Sequence, residues 1–460
     1  MNPVAIEYGN GSFTVMLPDR CDILGMTPVP PLANPRRAIE QSLSHPLGGL
    51  PFDAVVGAVR KPRGAVTAAV AVADNTRPVP YDAEREDGIL LPLLLRLRRS
   101  GIENRNVTII VATGTHAPTS LEWKRRSFGQ AIAGSYRIVD HDCAAPDLRF
   151  LDVVDGAPVK INREFLAADL RMVTGLVEPH FMAGFSGGRK TVCPGLAGLE
   201  TTRRFHGPDY MDSPGATNLS TGQNPCHAFA LAVAKKAGVH FSVNAVLNSE
   251  MRLSSVYSGD LESAHAAAME TVKRAAAIPA RREYDIVLTH GGRVAVNHYQ
   301  AAKAAFAAIP VVRRGGTVIL AAWSGESEPV GKKEYRELMA SLREGVPGAF
   351  SARLKSDTWR FVPDQWQAQK WDQFFRKIGS FDRLIYCTTN IGRGELEALP
   401  GRNGYEFAGG PSPSIREMVQ NALDRTLREA ADKGAPPTMA YLKDGPYGVP
   451  LLRPEADPPA

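Results

Sequence analysis

The chain has 460 residues, enough for two or three domains, and its 44% apolar and 22% charged residues are ordinary for a folded globular protein. The formal net charge of +6 comes without long Lys/Arg runs or a basic stripe with interleaved aromatics. That argues against a nucleic-acid partner, and a pocket for small anions accounts for local basic residues equally well. Five cysteines, odd in number, widely spaced and without a CxxC pair, argue against a disulfide framework and a zinc ribbon. The first ten residues, MNPVAIEYGN, lack the apolar run of a signal peptide, and no apolar stretch reaches the ~18 residues of a membrane span. A cytoplasmic protein with no membrane partner is expected.

Short Val/Ile/Ala-rich runs predict strands at residues 65–73, 107–113, 170–177, 285–289, 317–322 and 383–389. Longer helical patterns fall between them, at 88–100, 225–237 and 298–308. The alternation predicts an α/β fold of two α/β domains with mostly parallel sheets. Residues 275–283 (AAAIPARRE), with Pro279 and three charges, are read as the domain boundary. This gives domains at 1–275 and 280–448. Residues 449–460, with Pro450, Pro454, Pro458 and Pro459, are read as an irregular Pro-rich tail.

In open α/β sheets ligands lie beyond the carboxyl ends of the strands. Asp74, Asn75, Thr76 and Arg77 follow the first predicted strand, Gly114-Thr115-His116 the second, and Glu178-Pro179-His180 the third. Taken singly, His116 would be read as a structural or surface histidine. Two histidines and an arginine at strand ends favour a shared cleft. The next stretch, Gly184-Phe185-Ser186-Gly187-Gly188-Arg189-Lys190-Thr191, offers backbone N–H groups and two cations to an anion, although a simple glycine turn fits as well. It is not a phosphate-binding loop of the ATPase type, because Arg189 stands where glycine must precede the lysine. His206 follows alone. Further on, Tyr299, Gln300 and Lys303 share one face of a helix start, which suits a small hydroxy carboxylate.

These residues resemble the nickel-dependent lactate racemase family. The motifs that carry the resemblance are DNTRP (74–78), GTH (114–116), EPHFMAGFSGGRK (178–190), the isolated His206, GDLESAH (259–265), YQAAK (299–303) and DQW (364–366). The resemblance implies a racemase or epimerase of a 2-hydroxy acid, lactate or a related carboxylate. Its cofactor would be a nickel pincer, the nickel complex of pyridinium-3-thioamide-5-thiocarboxylic acid mononucleotide. His206 would ligate the nickel. Lys190 would sit at the thioacid, with a covalent thioamide tether left open. Asp74, Asn75, Thr76, Arg77, Ser186, Gly187, Gly188, Arg189 and Trp366 would line the cofactor. His116 and His180 would serve as two bases, one for each hydroxyl position. Arg77 and Lys303 would clamp the substrate carboxylate, with Gln300 and Tyr299 assisting. The N-terminal domain would bind the cofactor, and the C-terminal one would add substrate contacts across a cleft between them. Cofactor-synthesis proteins are implied as partners, a recombinant chain without cofactor is compatible with this reading, and a homodimer is left open. Met182, Phe205 and Arg293 depart from the family's usual residues, and Met182 and Arg293 leave the substrate's side chain open. Two rivals use the same residues otherwise: a zinc hydrolase built on His116, His180 and His206, and a carrier protein for a nucleotide cofactor.

Overall fold

The computed structural model describes the chain except residues 61–63, 411, 433, 435 and 453–460. It divides into two compact units, Pro28–Ala275 and a second made of Met1–Thr27 with Ala276–Ala460.

The first unit is built on a six-stranded sheet in the order Leu253–Gly259, Phe241–Leu247, Leu170–Leu176, Ala68–Ala73, Val107–Ala112, Arg137–Asp140. All neighbours pair in parallel except the outermost pair, Leu253–Gly259 with Phe241–Leu247. The central sequence AAVAVA is covered on both faces, which is why it reads as a continuous apolar run rather than an alternating one. Val70, Val72, Ile109, Val111 and Met172 pack against Leu93, Leu94 and Leu97 of the helix Leu90–Arg99. That helix carries Pro92 in its first turn, where a missing N–H costs nothing, and Arg96, Arg98 and Arg99 in its last, where cations favour the helix dipole.

The second unit has an all-parallel sheet in the order Arg402–Asn403, Leu384–Cys387, Val312–Ala321, Tyr284–His290, Met439–Leu442, Cys21–Leu24. The hairpin Asn2–Tyr8 with Gly11–Leu17 sends Ile6, Val15 and Leu17 into a core shared with Met418, Val419 and Ala422 of the helix Ile415–Ala431.

The α/β architecture with mostly parallel sheets is as the sequence predicts, and the six predicted strands and three helices are present within a few residues. Two features differ. Residues 1–27, grouped by sequence with the N-terminal domain, belong to the second unit, because Cys21–Leu24 adds to the edge strand Met439–Leu442. The Pro-rich tail is not irregular throughout: Val449–Leu452 is a strand parallel to Ala277–Ala280, inside the expected linker. This two-stranded sheet tolerates Pro450 and Pro279 because each strand has an open edge. The rest of the tail, including Pro454, Pro458 and Pro459, lies outside the described residues. Among the described residues no helix is long and apolar enough to cross a membrane.

Candidate active site

The loop after Ala68–Ala73 opens with Asp74, which is buried. Its Oδ1 accepts from the Thr76 amide at 3.1 Å and hydroxyl at 2.6 Å, and its Oδ2 lies 2.6 Å from His116 Nδ1. Burial pushes the carboxyl pKa up, but the hydrogen bond and charge of His116, with Thr76 and Arg77, outweigh it and hold the group below the usual carboxylate value. An ionised carboxylate only accepts, so Nδ1 of His116 carries the proton and a neutral ring has its lone pair at Nε2. The His116 side chain keeps 45% of its surface exposed, so this ring has a buried, anchored edge and an accessible one. The GTH turn holds it there: Gly114 adopts φ +58°, its N–H donates to Gly195 O at 3.0 Å, and the His116 amide donates to Thr113 O at 2.9 Å. Arg77 pairs through Nε with Glu178 at 2.8 Å and donates from Nη1 to Thr76 O at 2.8 Å. Asn75 is exposed.

Glu178 follows the strand Leu170–Leu176 and leads into the short hairpin Pro179–His180 with Gly184–Phe185. Ser186 turns inward. Its hydroxyl donates to Leu176 O at 2.7 Å and accepts from the Glu178 amide at 3.0 Å, so it ties the two ends of the hairpin together. His180 is buried, and its Nδ1 accepts from the amides of both Met182 and Ala183, each at 3.2 Å. Gly187 and Gly188 follow at φ +69° and +51°. A Cβ on Gly188 would lie 2.5 Å from the His265 ring, so glycine is required there by backbone and by space. His265 Nε2 lies 2.8 Å from Ser186 O and 3.2 Å from Arg189 Nη1. Arg189 beside it is fully buried and donates from Nη2 to Ala183 O at 2.7 Å. Burial pushes its pKa down to about 9, and among the described residues no carboxylate pairs with it.

Lys190 keeps a partly accessible side chain, with Nζ 5.0 Å from the centre of the Phe205 ring. Desolvation of the ammonium, followed by the charges of Arg77 and Arg189, pushes its pKa down to about 7. His206 ends the helix Leu199–Phe205, edge-on to Phe205 at 4.6 Å between ring centres. Burial, then the charge of Lys190, holds its imidazole well below the ordinary value despite a hydrogen bond to the Thr202 backbone. The charge interactions that couple Asp74 to Arg77 and His116, Lys190 to Arg77, and His206 to Lys190 and His116 join these side chains into one site. Among the described residues no three His, Cys, Asp or Glu side chains are grouped to hold a metal, so a zinc centre made of protein ligands alone has no ligand set there.

In the second unit, Asn297 caps the helix His298–Ala307 by accepting from the Gln300 amide at 2.9 Å. This puts Tyr299 and Lys303 on one face. The Tyr299 hydroxyl accepts from Trp366 Nε1 at 3.2 Å and lies 3.3 Å from Asp364 Oδ1, to which it donates. Burial and the Asp364 charge push the phenol well above its usual value, so it stays neutral. Gln300 Oε1 is a buried acceptor without a hydrogen-bond partner among the described residues.

Sequence reading found the loops but missed Glu178 as the partner of Arg77, and His265 beneath the glycine pair. Both lie inside motifs that the sequence displays, yet their partners stand 101 and 77 positions away.

An accessible imidazole backed by a buried carboxylate, beside a lysine that loses its proton near neutrality, is equipment for moving protons on a small substrate. An α/β enzyme is thereby defined. Residues 8–218 match the family model described as the lactate racemase N-terminal domain. The chain is 30% identical to the lactate racemase of Lactiplantibacillus plantarum over 89% of this chain and 87% of that one. It is 32% identical to the lactate racemase of Thermoanaerobacterium thermosaccharolyticum, covering 65% and 69%. The solved lactate racemase apoprotein from Thermoanaerobacterium thermosaccharolyticum superposes with a TM-score of 0.82 at 25% identity, over 98% of this chain and 100% of that one. A protein from Thermotoga maritima shares the fold at a TM-score of 0.64 and 17% identity, over 93% and 100%. The chain belongs to the lactate racemase family and is accordingly an isomerase.

Proposed function

We propose that the chain interconverts the two configurations at C2 of a 2-hydroxy acid, lactate or a related 2-hydroxy carboxylate, through a planar 2-keto acid. The observation that carries this reading is the Asp74–His116 pair, 2.6 Å apart, coupled to Lys190 and His206. The C2 hydrogen of a hydroxy acid is too weakly acidic for an imidazole to remove as a proton, so the hydroxyl proton is the one a histidine can take.

The cofactor expected from the sequence is a nickel pincer mononucleotide, and the residues fit one. A desolvated lysine with a pKa near 7 is a competent amine nucleophile at neutral pH. His206 is held neutral, the form that ligates a metal. At Gly187 and Gly188 a Cβ would run into Val177 and the His265 ring, so this loop has to be made of glycine. Bound there, the cofactor would supply a reversible acceptor for the C2 hydrogen as hydride. His206 would be its metal ligand, Lys190 its covalent anchor, and the DNTR and SGGR segments its walls. Ser186 and Arg189, both turned inward, would shape that wall rather than touch the ligand with their side chains.

His116 and His180 are the groups for the substrate hydroxyl, and Arg77 is one for its carboxylate. Within the second unit, Gln300 Oε1 is a buried acceptor without a hydrogen-bond partner among the described residues, and Tyr299 is held by Trp366 and Asp364. Tyr299 is unsuited as a base, because its phenol holds its proton.

The test is to incubate the nickel-loaded protein with single enantiomers of lactate and related 2-hydroxy acids and to follow both enantiomers by chiral chromatography. Conversion to a racemic or epimeric mixture is expected for at least one. Unchanged enantiomers across the series, with nickel bound, would overturn the reading.

A further inference from the structure

A guanidinium that clamps a carboxylate has to stay in one place, and an arginine side chain is long and rich in rotamers. Arg77 also carries its charge close to Lys190, whose ammonium it disfavours. The nearby carboxylate of Asp74 is already committed, with Oδ1 on Thr76 and Oδ2 on His116. That leaves Glu178, the one carboxylate ion-paired with Arg77 among the described residues, with Oε1 2.8 Å from Nε. Only 16% of the Arg77 side chain and 21% of the Glu178 side chain are exposed, so salt screens this pair less than a surface pair. Glu178 is itself fixed at the backbone. Its N–H donates to the Ser186 hydroxyl at 3.0 Å, and its carbonyl accepts from the Ser186 amide at 3.0 Å. On the other side, Arg77 Nη1 donates to Thr76 O at 2.8 Å. The guanidinium is thus gripped at two points, by its own loop and by the loop that follows the neighbouring parallel strand Leu170–Leu176.

We infer that Glu178 is a positioning residue for the reaction: it fixes the guanidinium of Arg77 for the substrate carboxylate and takes no part in making or breaking bonds. The inference rests on the proposed racemase reading and deepens it. Two effects of the Glu178 charge oppose each other. A carboxylate beside Arg77 weakens the pull of that cation on a substrate anion. It also holds the guanidinium, and with it the bound carboxylate and C2, in line with the groups that react. A misplacement of about 1 Å costs on the order of 100-fold in rate. Attraction felt equally before and during reaction appears in KM, whereas placement appears in kcat. Glutamine at 178 has the shape of glutamate without its charge. Arg77 freed in this way would bind anions at least as tightly and hold them less well in line.

Two experiments test this. The first uses the apoprotein labelled with 15N-arginine, with Arg77 assigned by the signals missing from Arg77→Lys. Gripped at both points, the guanidinium should turn slowly about its Cζ–Nε bond and show two separate Nη resonances. In Glu178→Gln the two should merge. Separate resonances that persist unchanged in Glu178→Gln, or a single averaged resonance already in the parent, would show that Glu178 does not hold Arg77 and overturn the inference. The second uses the nickel-loaded parent and Glu178→Gln with single enantiomers of a 2-hydroxy acid that the parent turns over. In the variant kcat should fall about 10- to 100-fold while KM stays level or falls. An unchanged kcat, or a KM that rises with any loss of kcat, would make Glu178 a binding or structural residue and overturn the inference. A parent that turns over no 2-hydroxy acid would sink the racemase reading instead, and the apoprotein spectra would still decide whether Glu178 holds Arg77.

Discussion

An amine surrounded by Arg77 and Arg189 in a desolvated loop gives up its proton near neutral pH, and for Lys190 that changes reactivity more than stability. If Lys190 anchors the cofactor through an amide-type bond, denatured holoprotein should keep an added mass in intact-mass spectra, and Lys190→Ala should show none. A denatured parent protein without added mass, having carried nickel beforehand, would show a non-covalent cofactor. His206 gives an independent check. Its backbone N–H bonds to Thr202 O, so His206→Ala should leave the helix end intact while nickel retention falls to background by elemental analysis. Full nickel occupancy in that variant would remove His206 from the ligand set. Most of these side chains were legible because they follow strands directly, as Asp74, His116 and His180 do. What the sequence withheld was their partners. Asp74 reads as one more wall of a cofactor pocket until His116, 42 positions later, is found on its Oδ2. Which nitrogen of His180 is engaged depends on two amides of a hairpin that no periodicity reveals.

At the scale of elements, the glycine loop is held by what lies beneath it. Gly188 adopts φ +51° and has the His265 ring where a side chain would go, so Gly188→Ala combines backbone strain with a clash. A cost of about 1–3 kcal/mol is expected from the backbone alone. Chemical denaturation should show that loss, and His265→Ala in the same chain should recover only the part due to the clash. Full recovery would show that the backbone conformation costs nothing. The parallel strands were readable because both faces are buried and the runs are continuous, as in AAVAVA. The hairpins Arg149–Val154 with Ala157–Ile161 and Phe241–Leu247 with Leu253–Gly259 were not foreseen. In the first, Phe150 and Val153 are exposed, so its apolar pattern does not mark a buried face. The strand Val312–Ala321 begins five residues before its apolar run because Arg313, Arg314, Gly315 and Gly316 form an irregular start, with a register shift opposite Tyr284 and Ile286.

For the whole molecule, the largest departure from the sequence reading is that the chain's first 27 residues complete the unit formed by its last 185. Nothing local could have announced this, since a four-residue strand such as Cys21–Leu24 finds its place only through the parallel partner Met439–Leu442. The energetics make the pairing consequential. Ile6, Val15 and Leu17 are almost wholly buried, and burying three such side chains is worth roughly 5–9 kcal/mol as an upper estimate. That is comparable with the net stability of an ordinary domain, about 5–15 kcal/mol. Removing residues 1–17 should therefore unfold the second unit or bring it close to unfolding, while Leu17→Ala should cost about 2–5 kcal/mol and leave it folded. Hydrogen exchange followed by mass spectrometry separates the units. In the truncated chain, protection should fall in Ile415–Ala431 and Met439–Leu442, which lose the hairpin's packing directly or through their shared core. Ala68–Ala73 and Val107–Ala112, whose partners all lie in the other unit, should exchange as slowly as before. Unchanged protection in Ile415–Ala431 after truncation would mean that the core around Met418 and Val419 stands without the hairpin. The first strands would then be an attachment to the second unit rather than part of its core.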